Sequence, residues 1–354
     1  MFLQNLITSI SCGKGSDITT NDEKKILKVI HYHRKPEIDY YSIERLFVDI
    51  RAAMPSDIDV VIRESSFLSR GLWRRVFNIV EAAFRQGDVN HVTGDVHFLT
   101  YLLKRERTVL TVHDCVSLER LSGIEKWCLR LLWYMLPVHR AGVITVISAS
   151  TKREVLKFVR CDPEKIQVIY NCVSEIFRPE ARLFSATCPR VLQVGTGHNK
   201  NIERVAEALV GISCRWIIVG RLSEAQRELI ESYGISYENY VGLSEDALLE
   251  QYRLADMLVF ASTYEGFGLP IIEANAVGRP VVTSDLYSMP EVAGEAACLV
   301  DPFDVESIRS GIVRVIEDAD YRNRLVEAGF SNRERFRPAV IAEQYATIYR
   351  KLVE

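Results

Sequence analysis

Short β-branched and aliphatic runs alternate with segments of helical length along almost the whole chain, and few architectures accept that alternation. Strands separated by helix-length crossovers pair in parallel, and a parallel sheet is covered by helices on both faces. In the first half the strand candidates are Ile26 to His31, Asp59 to Arg63, Thr108 to His113, Gly142 to Ile147 and Ile166 to Tyr170. In the second they are Arg190 to Val194, Trp216 to Val219, Met257 to Ala261, Pro280 to Thr283 and Ala297 to Val300. Between Val173 and Arg190 the pattern lapses into Phe177-Arg178-Pro179 and a polar stretch, which reads as a linker. A chain of 354 residues is long for one core and comfortable for two. The expected fold class is therefore α/β, with two doubly wound domains facing a central cleft. Ligands of such sheets sit beyond the carboxyl ends of the strands, so opposed domains bring two ligands into one cleft.

One segment carries most of the chemistry. Tyr264-Glu265-Gly266-Phe267-Gly268-Leu269-Pro270-Ile271-Ile272-Glu273 follows the apolar run Met257 to Ala261 and leads into a helix, with Pro270 in its first turn and Gly278 just past its end. Glu265 is thus expected on the turn leaving a strand and Glu273 in the first helical turn. Gly266 and Gly268 let a ligand approach the turn backbone, and free N–H groups at the positive end of a helix suit an anion. A dipole-complementing role would account for Glu273 alone, but not for Glu265 placed before the helix.

A second turn has related chemistry. Val194-Gly195-Thr196-Gly197-His198-Asn199-Lys200-Asn201 follows the first strand of the second domain and opens a helix. Gly195 and Gly197 permit close backbone approach and Lys200 supplies a point charge. A cation at a helix start opposes the dipole, so Lys200 is expected to meet an anion.

The Glu265 to Glu273 segment resembles the Glu-x7-Glu motif of retaining GT-B glycosyltransferases, in particular glycosyltransferase family 4. The downstream Gly278-Arg279-Pro280-Val281-Val282-Thr283-Ser284-Asp285 and Met289-Pro290-Glu291-Val292-Ala293-Gly294 are similar to that family as well. The resemblance implies two Rossmann-like domains: an acceptor domain over 1–178, a nucleotide-sugar donor domain over 186–335, and a terminal helix over 336–354 that crosses back onto the first domain. By the same resemblance, Glu265 contacts donor-sugar hydroxyls with the backbone of Gly266, Phe267, Gly268 and Leu269, and Glu273 holds the ribose hydroxyls. Lys200, with Gly195 and Gly197, would face the diphosphate. The base pocket is expected around Val241-Gly242-Leu243-Ser244, read as a short strand and turn. Family members often carry an arginine beside the loop lysine; here Arg221 either replaces it or forms a surface salt bridge.

In the first domain, Thr111-Val112-His113-Asp114 ends a strand, so His113 is expected to face the cleft, where it resembles the family histidine beside the donor sugar. His91 and His97, near another strand end, are assigned to the acceptor side. The glycine-rich loop common in the family after the first strand is replaced by a glycine-free stretch from His31 to Arg45. Within it Arg34 and Lys35 either meet an acceptor phosphate or are simply solvated. The aromatic, basic stretches Gly71 to Phe77 and Lys126 to Met135 are compatible with a helix resting on anionic lipid, and equally with helices packed on the sheet.

Eight cysteines lie scattered without metal-ligand spacing, as expected of buried thiols in a reducing compartment. Asp57-Ile58-Asp59 and Asp318-Ala319-Asp320 match a metal-binding Asp-x-Asp only in letters, so no obligatory metal and no cofactor are expected. A net charge of −3 gives no reason to expect nucleic acid. Met1 to Ser11 precede Cys12 without a leading basic residue and are expected to be a strand or irregular start rather than an export signal. The expected protein is a cytoplasmic, possible peripheral membrane enzyme that moves a sugar from a nucleotide diphosphate, with a lean to GDP-mannose, onto a glycan or lipid-linked acceptor in surface polysaccharide or lipopolysaccharide synthesis. Fold alone leaves an epimerase, a phosphorylase or a non-catalytic nucleotide-sugar binding subunit as alternatives.

Overall fold

The computed structural model describes residues 26–35 and 42–354. The expectations for Met1 to Cys12, and for residues 36–41 of the glycine-free stretch, lie outside the described residues.

Two six-stranded parallel sheets are present. The first has the order β2-β1-β3-β4-β5-β6, from β1 (Leu27–His33), β2 (Ile58–Glu64), β3 (Val89–Val92), β4 (Thr108–Val112), β5 (Val143–Val146) and β6 (Ile166–Val168). The second has the order β12-β11-β10-β7-β8-β9, from β7 (Arg190–Val194), β8 (Arg215–Val219), β9 (Tyr237–Tyr240), β10 (Met257–Phe260), β11 (Val281–Ser284) and β12 (Cys298–Val300). The central strands β3, β4, β10 and β11 are buried at every residue, and β10, Met-Leu-Val-Phe, accordingly reads as an unbroken apolar run rather than an alternating one. The ranges of β3 and β9 were not among the strand candidates, although a strand end was expected near His91 and a short strand at Val241. β3 is Val-Asn-His-Val and β9 is Tyr-Glu-Asn-Tyr, and polar residues in each break the apolar signal.

Two cores pack on opposite faces of each sheet. In the first domain, Ile30, Val92, Leu110 and Ile144 face one side, while Val29, Val89 and Val109 face the other. That second side is completed by the terminal helix Pro338–Lys351, whose Ile341, Tyr345 and Tyr349 pack with Phe47 and Ile50 of helix Ser42–Ala52. The chain therefore returns to the first domain after building the second.

Under this helix lies a buried polar chain. The Tyr349 hydroxyl lies 3.0 Å from His31 Nε2 and 2.6 Å from His91 Nδ1, and His91 Nε2 lies 2.7 Å from Thr111 Oγ1. Burial, with His91, His33 and Arg51 nearby, holds His31 well below the ordinary imidazole value, so the cluster is neutral. Tyr349→Phe leaves imidazole nitrogens without a partner in the core. It is expected to cost about 1–3 kcal/mol, read as a lower thermal midpoint with nucleotide affinity unchanged. An unchanged midpoint would show that the hydroxyl is dispensable.

Candidate functional site

The turn after β10 is held in place from both domains. Gly268 occupies the left-handed region at φ 104° and caps the helix Leu269–Val277, whose second residue is Pro270. Glu273 is the fifth residue of that helix, and no acidic residue stands in its first turn. The expectation of a first-turn glutamate is corrected: the helix begins at Leu269, which places Glu273 in its second turn, where it lines a cavity. Ser288 Oγ lies 2.9 Å from the carbonyls of both Glu265 and Phe267. From the first domain, the Ser148 hydroxyl donates to the Gly266 carbonyl at 2.8 Å, and Tyr264 donates to Glu154 at 2.7 Å. The Glu291 carboxylate accepts from the Ala149 N–H at 2.8 Å, closing the same interdomain contact.

Lys200 meets an anion, and that anion is Glu265. Its Nζ donates to Glu265 Oε1 at 2.6 Å, and Asn199 Nδ2 donates to the same oxygen at 3.2 Å. The ammonium also lies 4.5 Å from the centre of the Phe260 ring. Gly195, at φ 94°, gives the lysine room, since a Cβ there would stand 2.7 Å from Lys200 Cε. Asn201 takes the left-handed conformation at φ 59° and locks the loop by donating to the Ala261 and Pro302 carbonyls at 3.0 and 2.7 Å. The two turns are thus one unit, with a positive group poised over a carboxylate at the mouth of a cleft.

A cavity of about 320 Å³ is lined by Lys200, Glu265, Gly266, Phe267, Gly268 and Leu269 of the second domain and by His113 of the first. His113 Nε2 lies 2.8 Å from the Thr93 carbonyl, which can only accept, so Nε2 carries the proton and neutral Nδ1 is an acceptor. Burial, partly offset by the Thr93 carbonyl, lowers the His113 pKa and keeps the ring neutral.

A second cavity of about 530 Å³ shares Leu269 and is lined by Leu243, Ser244, Glu245, Leu248 and Glu273, with Arg45, Leu46 and Asp49 across from them. Arg45 bridges to Glu245 at 2.9 Å, tying the two domains at this cavity. Val241 to Ser244 is a loop, with Gly242 at φ 68°, and the strand of this region lies earlier, at β9. Ser244 caps the following helix by accepting from the Ala247 N–H. Arg45 was missed because nothing in its sequence surroundings marks a solitary basic residue on an amphipathic helix.

Tyr252 donates to Glu273 Oε2 at 2.6 Å. Burial pushes the Glu273 carboxyl up to about 7, with Glu245 adding to the rise and Tyr252 and Lys200 opposing it. The stability this group contributes is present below its ordinary value of 4.5 and is lost as pH rises through about 7. Binding to hydroxyl donors has the opposite sign, because only the ionised form accepts with both oxygens. Nucleoside diphosphate affinity is expected to rise with pH by up to about tenfold per unit until near 7 and then level off, the rise vanishing in Glu273→Gln. Titration calorimetry across pH checks this; parallel profiles for both proteins would remove Glu273 from the nucleotide site.

The remaining candidates fall elsewhere. His91 is fully buried with both nitrogens engaged, and His97 is buried with Nδ1 2.8 Å from the Trp133 carbonyl. Neither faces the cleft, and both are corrected from the acceptor side to the first-domain core. Arg34 and Lys35 follow β1 at its carboxyl end, and Lys35 donates to the Ser66 carbonyl at 3.2 Å. The Arg221 side chain is exposed and forms no ion pair among the described residues, so the surface salt bridge is absent there. Gly197 accepts from the Lys200 N–H at 2.8 Å and starts the short turn His198–Lys200. Asp57 of the first Asp-x-Asp match pairs with Arg350 at 2.9 Å, and Asp318 of the second caps the helix Ala319–Arg333. Among the described residues, no group of three or more His, Cys, Asp or Glu is placed to hold a metal.

Comparison with known proteins gives two family matches in tandem: Glycosyltransferase Family 4 over residues 29–175 and Glycosyl transferases group 1 over residues 180–332. The chain is 39% identical over 102 residues to O-antigen chain mannosyltransferase B of Escherichia coli, spanning 26% of that protein. It is 25% identical over 261 residues to the serotype-specific mannosyltransferase WbdA of the same organism, spanning 32% of it. The MMP alpha-(1->4)-mannosyltransferase of Mycolicibacterium hassiacum is 29% identical over 300 residues, 77% of this chain and 72% of that one. Among solved structures, Anabaena HepE in complex with UDP and glucose superposes with a TM-score of 0.75 at 17% identity, covering 92% of this chain and all of HepE. The lipopolysaccharide-biosynthesis glycosyltransferase WaaG superposes at 0.67 with 14% identity, covering 91% of this chain and 99% of WaaG. With both halves matched and two facing parallel sheets bridged by a returning helix, the chain belongs to glycosyltransferase family 4 and has the GT-B fold.

Proposed function

We propose that the chain is a retaining, metal-independent hexosyltransferase that moves mannose from GDP-mannose to a glycan or lipid-linked acceptor in cell-surface polysaccharide assembly, at the inner face of the membrane. The observation that carries this reading is the Lys200 to Glu265 pair, set in one cavity with His113 of the opposite domain. Lys200 and the backbone N–H groups of the glycine turns supply the positive potential that a departing nucleoside diphosphate needs. Glu265 orients donor-sugar hydroxyls, Glu273 takes the ribose, and His113 Nδ1 accepts a sugar hydroxyl. Retention follows from front-face attack, in which the leaving phosphate oxygen accepts the acceptor's hydroxyl proton as the new glycosidic bond forms. Mannose is favoured because the curated relatives named above are mannosyltransferases.

The test is a thermal-shift screen over GDP-mannose, UDP-glucose and related donors, followed by analysis of the product anomer. The matching donor at ~100 times its dissociation constant adds roughly 2.7 kcal/mol of stability. No shift with any nucleotide sugar, an inverted product, or activity abolished by chelation and restored by Mn2+ would overturn the corresponding part of the reading.

A further inference from the structure

The helix Leu72–Phe84, between β2 and β3, is apolar on the side that faces water. Its inner side is already satisfied: Ala82 is buried against the sheet core, and buried Asn78 donates to the Phe67 carbonyl at 2.8 Å and accepts from the Phe67 N–H at 3.1 Å. A helix covering a sheet ordinarily turns polar residues outward. Here Trp73, Val76, Phe77, Val80 and Phe84 form the outer stripe, spaced i, i+3, i+4, i+7 and i+11, and all are exposed. Trp73 is 82% and Phe84 86% accessible, so neither supports the fold. Phe67 packs edge-on against Phe77 with ring centres 5.0 Å apart, widening the stripe.

A second helix extends the surface. Arg75 lies over the Trp133 ring at 5.0 Å, joining this helix to the helical segment that begins at Gly123. Near the start of that segment Ile124 and Trp127, the latter 60% accessible, are also exposed.

Charge decides between possible occupants. Arg74 and Arg75 directly follow Trp73, and Arg75 lies over the Trp133 ring, whereas Glu81 of the same helix is paired with Arg85 at 3.0 Å. The chain as a whole is acidic, with a formal charge of −3, so this basic rim is local. Two copies meeting through the stripe would oppose their arginines, which disfavours a symmetric dimer. An apolar stripe with exposed tryptophans and a basic rim matches the boundary between acyl chains and anionic headgroups.

We infer that the stripe Trp73 to Phe84, with Ile124 and Trp127, docks the protein on an anionic lipid bilayer. This deepens the proposed function, resting on its lipid-linked acceptor, by naming the surface that brings the first domain to that acceptor. The Trp and Phe side chains enter the interface, and the arginines pair with headgroup phosphates.

The test uses the full chain with vesicles of phosphatidylcholine alone, and of phosphatidylcholine with about one third phosphatidylglycerol. Wild type is expected to co-sediment with the anionic vesicles and much less with the neutral ones. A Trp73→Ser, Phe84→Ser double variant is expected to partition at least about tenfold less, and Arg74→Glu to weaken binding with a shallower salt dependence. Both variants alter exposed positions, and unchanged thermal midpoints and nucleoside diphosphate affinities show that the fold and the donor site are intact. Wild type that ignores anionic vesicles, or a double variant that binds them equally, overturns the assignment. A wild-type dimer that the double variant dissociates, with vesicle binding unaltered, gives the stripe to a second copy and overturns it too. Vesicle binding without affinity for any nucleotide would refute the donor reading alone and leave this surface standing.

Discussion

Lys200→Met is expected to lower kcat/KM for the nucleotide-sugar donor by roughly 10²–10³, the scale found when one fixed donor to a developing negative charge is removed. Methionine keeps the unbranched stem that passes over Gly195 and Phe260, so packing is nearly preserved while the charge is lost. In the free protein the ammonium is spent on Glu265 at 2.6 Å. On the proposed reading, a diphosphate entering the turn would give it a second, more highly charged partner, and a departing diphosphate would need it most. Turnover should therefore suffer more than ground-state affinity for the nucleoside diphosphate. Steady-state kinetics with calorimetry on the same variant separates the two. Activity within a few-fold of wild type would reduce Lys200 to a structural counter-ion of Glu265.

Gly266→Ala is expected to lower kcat by about 10² with nucleoside diphosphate affinity close to wild type, the scale of a misplacement of roughly 1 Å. The reason is room rather than backbone freedom. A Cβ at Gly266 would stand 2.6 Å from the His113 carbonyl and 3.4 Å from Asp114 Cβ. The close neighbour is backbone of the opposite domain, which cannot rotate aside as a long side chain would. The domains must separate at the point where Ser148 and Thr151 grip the Gly266 carbonyl, and His113 moves away from Glu265. The contacts proposed for the nucleotide all lie in the second domain and would be left in place. Scattering should report a more open particle; an alanine variant with unchanged kcat would mean that interdomain contact at Gly266 does not set the reacting geometry.

Much of this site was legible in the chain. Glu265, Gly266, Gly268 and Lys200 were marked by local rules, namely a strand ending in a glycine turn and a helix opening with a proline or a cation. Such signals are short-range, and the backbone obeys them wherever the segment sits. The expected lysine counter-ion could be inferred from helix electrostatics, but its identity as Glu265, 65 residues away, could not. The histidines show the opposite case. His91 and His113 both lie at or just past the end of a buried strand, yet one is sealed beneath Tyr349 and the other opens on the cleft. Both rings lie on the face packed against Phe47, and only the placement of the returning helix decides that His91, within the sheet, is covered while His113, beyond the strand end, lines the cavity.

The sequence by itself determined the two parallel α/β domains, the linker between them and the two glycine turns, because apolar runs, helix-length crossovers and turn residues act locally. Tertiary structure alone decided which titratable groups meet. It placed Arg45 against Glu245, clamped Gly266 between the domains, and buried Glu273 until its carboxyl titrates near 7. Those outcomes depend on which surfaces exclude water and on distances between elements far apart in the chain, and no local pattern of residues encodes either.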